Sequence, residues 1–147
     1  MNIDPEISIF IHATRACAHQ MLSTACFIQQ ELPSLNIPSE LRLKIEAVCD
    51  SLIGTKHDVI TETFELDELA QTGASEARLD EKMGRISRWL CETLLEMHEL
   101  VGEVERLVST DPSYSLVFIL IVESATNIAN SMPGVLGDEA PEKADTD

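Results

Sequence analysis

His12, His19 and Cys26 are of types that suit metal chemistry, and their i, i+7, i+14 spacing sets them on one line of a helix. Seven residues of helix rise about 10.5 Å, whereas zinc ligands sit about 2 Å from the metal. No two of these residues can therefore share an ion without help from another helix. A metal or small-ligand site would have to combine His12, Cys17 and His19 with Glu or His side chains elsewhere, and it stands as an alternative of a different class. The plain expectation is a solvated flank, with no metal and no cofactor. No HExxH motif and no Glu-x-x-His pair occurs, since His98 follows Glu96 by only two positions. Nucleophile elbows and glycine-rich phosphate loops are missing too, so no enzymatic activity is expected.

Carboxylates are patterned more regularly. Glu92, Glu96, Glu99 and Glu103 step by four, three and four, which puts them on one strip of a helix. Asp58, Glu62 and Glu65 form a second row with Asp67 and Glu68 beside it, and no Lys or Arg lies between Lys56 and Arg78. Such rows attract basic partners or simply face water. The chain has 147 residues, 10 basic against 26 acidic, and a formal charge of −16. That balance disfavours phosphate backbones and anionic membrane surfaces. Aromatic content of 4% also leaves little for stacking on bases.

A third signal is surplus hydrophobicity. Ile9, Ala13, Ala16 and Phe27, flanked by Phe10, make a second apolar stripe on a helix that already has one, and Leu116–Val122 is apolar all round, including Leu116, Ile119 and Leu120. One bundle could absorb the surplus, or a partner's amphipathic helix could dock on it, and the expectation is a homodimer.

These residues need elements to hold them, and the punctuation of those elements is plain. Asp4-Pro5-Glu6 starts helix 1, which should run to Leu32, with Ile7, Ile11, Thr14, Ala18, Met21, Ala25, Ile28 and Leu32 on its inner face. Ser39 is the expected N-cap of helix 2, whose seam from Leu41 to Ala70 keeps one phase across a weak point at Gly54, favouring one helix over two. Gln71–Ser75 separates it from helix 3, Glu76 to Ser109, with three apolar positions per heptad, the pattern of a bundle helix. Asp111-Pro112 opens helix 4, ending near Ser131. The β-branched run from Tyr114 to Val122 has no second strand to pair with, so it too reads as helix.

The expected fold is thus all-α, four long helices in an antiparallel bundle over residues 1–132, followed by a disordered acidic tail over 133–147. No secretory signal or transmembrane helix is expected, and the dispersed Cys17, Cys26, Cys49 and Cys91 read as reduced thiols of a cytoplasmic protein. The expected function is binding of another protein with a basic surface, as an adaptor, chaperone or inhibitor. Mimicry of nucleic acid against a DNA- or RNA-binding protein is the alternative.

Overall fold

The computed structural model describes residues 4–132 and contains α1 (Pro5–Glu31), α2 (Ser39–Gln71), α3 (Glu76–Thr110) and α4 (Ser115–Asn130). Single 3₁₀ turns occupy Leu32–Ser34 and Pro112–Tyr114, and no strand occurs among the described residues. The chain is an all-α bundle, and the acidic tail expected at 133–147 lies outside the described residues.

Local chemistry explains most boundaries. Asp4 caps α1 by accepting from the Glu6 N–H at 2.9 Å, and Ser75 caps α3 by accepting from Arg78 N–H at 3.2 Å. The cap expected at Ser39 is corrected: Pro38 is the N-cap, Ser39 is already helical, and no side chain caps this end. The stabilisation comes from elsewhere, because Arg42 in the first turn of α2 donates to the carbonyls of Leu32 and Leu35, both at 2.8 Å. One guanidinium thereby satisfies two carbonyls of the connection that follows α1 and fastens it. Helix 4 begins later than its proline, since Asp111 accepts from Ser113 N–H at 3.0 Å and holds Pro112–Tyr114 in a 3₁₀ turn.

Helix α2 runs unbroken through Gly54, because Cys49, Leu52, Thr55 and Val59 on either side stay buried in one phase. It ends in a Schellman motif: Gly73, at φ +80°, lets Ala74 N–H reach Leu69 O at 3.0 Å while its own N–H reaches Ala70 O.

Each helix packs on the next, and α4 returns against α1 to close a ring. Neighbours are antiparallel: Lys44, early in α2, meets Glu103, late in α3, whereas Glu62 meets Lys82 at the other end. The core is filled by fully buried Met21, Ile28, Ile45, Leu52, Leu66, Ile86, Leu90, Met97, Ile121 and Ile128, each worth about 2 kcal/mol on burial. Within it, Thr93 directs its proton to Trp89 O, so it accepts from Thr55 at 2.8 Å. Sliding α2 by one turn along α3 would break the hydrogen bond between the two threonines while Thr93 keeps Trp89 O, so this bond favours the observed register.

Helix α4 has 16 residues against 35 in α3, about 24 Å against about 53 Å. Its inner face, Val117, Ile121, Ser124, Ala125 and Ile128, is buried, and Met132 places its sulfur 3.4 Å from Cys17 Sγ. By length and composition alone Pro112–Asn130 is apolar enough to cross a membrane, and 28% of it is buried in the bundle.

Candidate functional site

Charge is divided between the helices. α2 and α3 carry eight acidic residues each, whereas α1 has two, Glu6 and Glu31 near its ends, and α4 has one, Glu123. Because α2 packs on α3 and α4 on α1, the ring has an acidic side and a nearly uncharged side.

On the acidic side, Glu92, Glu96 and Glu99 are exposed, as the strip on α3 requires. Glu103 is half-buried and pairs with Lys44 at 3.0 Å, and Glu96 accepts from Ser51 at 3.1 Å. Glu92 and Glu99 have no ion-pair partner among the described residues. Lower on the same side, Asp58 and Glu65 are exposed, but Glu62 is not part of a bare acidic row. Its carboxylate sits 2.7 Å from Lys82 Nζ, with Arg85 at 3.8 Å, and Lys82 also reaches Glu65 at 3.7 Å. The Lys82 ammonium holds the Glu62 carboxyl below its ordinary range, against the opposing effect of burial. Glu62 and Glu65 are thus paired from the next helix, which a reading along one segment cannot see, while Asp58 has no ion-pair partner among the described residues.

Above this, Leu41 and Leu107 line an open hollow of about 480 Å³ together with Glu40, Lys44, Glu103 and Arg106, of which Lys44 and Glu103 pair with each other.

On the uncharged side, Ile9 (63% exposed), Ala16 and Phe27 (51%) line the outer face of α1, with Ala13 half-buried beside them. Leu116 (73%) and Ile119 (50%) are exposed on α4 and Leu120 is half-buried. Phe27 borders the α1/α4 groove together with Gln20, Glu123 and Asn127, so the two apolar stretches share one side of the bundle. Phe10 is a correction: it is buried in the core and cannot belong to an outer stripe, because its position on α1 turns inward with Ile7, Ile11 and Cys17.

The histidine and cysteine line does not assemble. His12, His19 and Cys26 are exposed while Cys17 is buried, and among the described residues no three His, Cys, Asp or Glu side chains are grouped to hold a metal. No disulfide joins the cysteines. Burial raises the Cys17 thiol, and burial, then Asp50 and Glu46, push Cys49 up to about 11. Both buried thiols stay protonated at neutral pH, the unreactive form.

One residue that sequence reasoning missed is Arg15, the single cation of α1. It donates from Nε to Thr63 at 3.0 Å and lies 4.4 Å over the Phe64 ring, while its buried Nη2 has no partner. A lone arginine in an acid-poor helix was the available signal, and its role is to tie α1 to α2. Comparison with protein-family models, curated proteins and solved structures finds no match for this chain.

Proposed function

We propose that the protein works by binding another protein, as an adaptor, chaperone or inhibitor, through the acidic outer side of α2 and α3. The observation that carries this reading is the band around Glu92 and Glu99, which stands in water without cationic partners among the described residues, between the Lys44–Glu103 pair and the Lys82–Glu62 network. Carboxylates neutralised within the fold contribute little field outside it, whereas these remain available to a basic surface. Exposed charges chiefly set encounter rate and specificity, and salt screens them over about 8 Å at physiological ionic strength. The test begins with affinity capture from the source organism, comparing the native chain with a variant carrying Gln at 92, 96, 99 and 103. A basic protein held by the native chain should associate more slowly with the variant, and the difference should shrink as salt rises in surface plasmon resonance. Equal association rates at low salt would discard the acidic side as the binding surface.

A further inference from the structure

We propose that a second copy of this chain covers the outer face of α1 and α4, the two α1 helices crossing antiparallel about a two-fold axis at the level of Ala18. The outer positions of α1 are Ile9, Ala13, Ala16, Gln20, Ser23 and Phe27, spaced by four, three, four, three and four residues. That spacing reads the same in both directions, and Ile9 and Phe27 lie equally far from Ala18. An isologous interface demands this property, because each copy presents the same patch reversed. Large side chains stand at both ends, 63% and 51% exposed, so Ile9 of one copy meets Phe27 of the other, while Ala13 meets Ser23 and Ala16 meets Gln20 between them. Inversion also brings Leu116 and Ile119 of each copy, beside the C-terminal end of α1, alongside the N-terminal turns of the other copy's α1.

Charge decides the occupant. A chain of net charge −16 repels its own copies wherever acids face each other. From Ile7 to Gln30, α1 has no acid, its one cation, Arg15, is turned to α2, and α4 adds a single acid, Glu123, in the groove beside Phe27. This side is therefore one through which an equally acidic body can approach closely, and a basic partner would find little to pair with there. Leu43, Phe64 and Leu95 are about as exposed but stand singly among acids on α2 and α3, so they make no comparable patch.

The test is sedimentation equilibrium of the full chain over a dilution series, with Phe27→Glu and Ile119→Glu against Leu95→Glu as control. All three positions are exposed, so circular dichroism should show each variant folded. The native chain and Leu95→Glu should sediment at twice the 16.2 kDa chain mass, and Phe27→Glu and Ile119→Glu at half that of the native species. A native chain that stays monomeric, or a dimer that survives Phe27→Glu and yields to Leu95→Glu, would overturn the proposal. So would a monomer that floats with phosphatidylcholine vesicles unless Leu116 is charged, since the face would then serve a membrane. Self-association and partner binding separate cleanly: Gln at 92, 96, 99 and 103 should leave the sedimenting mass unchanged.

Discussion

At Leu90 and Glu96 the two sides of α3 differ as sharply as two positions six residues apart can. Leu90 is fully buried and Glu96 is exposed, holding only the Ser51 hydroxyl. Leu90→Asp should cost more than about 4 kcal/mol, because it buries a charge without a partner, while Glu96→Gln should stay within about 0.5 kcal/mol, since the amide oxygen still accepts from Ser51. Urea denaturation of both variants measures this, and similar losses would contradict the assignment of inner and outer faces. Glu62 adds a pH signature. Its folded carboxyl is held below its ordinary value near 4.5, chiefly by Lys82, so the stabilisation is complete above that value and is lost as pH falls through the folded one. Glu62→Gln should therefore be less stable than the native chain at pH 7, by about 1 kcal/mol, and the gap should close on acidification. A gap independent of pH would show that the charge of Glu62 does not matter. The heptad pattern already places Leu90 inside, but the partner of Glu62 is 20 residues away in the sequence and becomes a neighbour only when α3 folds back along α2.

At the scale of the elements, one glycine within α2 and one just past its end have opposite uses. Gly54 lies exposed in the helix interior, with nothing within 4 Å of where a Cβ would be. Gly54→Ala should therefore stabilise the protein by about 0.5–1 kcal/mol, since alanine gives up less backbone entropy on folding. Gly73 has the same open surroundings but a φ of +80°. Gly73→Ala should destabilise by about 1 kcal/mol, because an L side chain is strained there and the Schellman bonds depend on that conformation. Thermal melts of the pair should shift in opposite directions, and a shared direction would mean that one of the two backbone assignments is wrong. The starts of α1 and α3 were legible from sequence, at α1 together with its aspartate cap, and that of α2 was placed within one residue. What fastens the start of α2 was not legible, because Arg42 reaches carbonyls seven and ten residues earlier, and no local rule anticipates a side chain reaching back across a connection.

For the whole molecule, the acid-rich side destabilises as well as displays. At net charge −16, like charges on α2 and α3 repel one another within the fold, and added salt should raise the melting temperature. Replacing Glu92 and Glu99 with Gln removes two carboxylates that have no ion-pair partner among the described residues, so this variant should melt higher than the native chain at low salt and gain less from added salt. Calorimetry over a salt series decides it. A lower melting temperature at low salt would mean that these two carboxylates stabilise the fold.

The sequence by itself determined the all-α class, the number of helices, the continuity of α2 through Gly54 and the inner faces of α1, α2 and α3, whereas α4, apolar all round over Leu116–Val122, gained its inner face only by packing. Caps and the 3.6-residue period act within a few residues of one another, so one segment suffices to read them. The tertiary structure alone decided what each outer face meets. Glu62 found Lys82, Arg15 settled over Phe64, and the acid-poor helices α1 and α4 came together on one side of the ring. Those outcomes depend on which helices become neighbours and at what height. That choice is made by packing and charge pairing between residues distant in the chain, and no periodicity within a single helix encodes it.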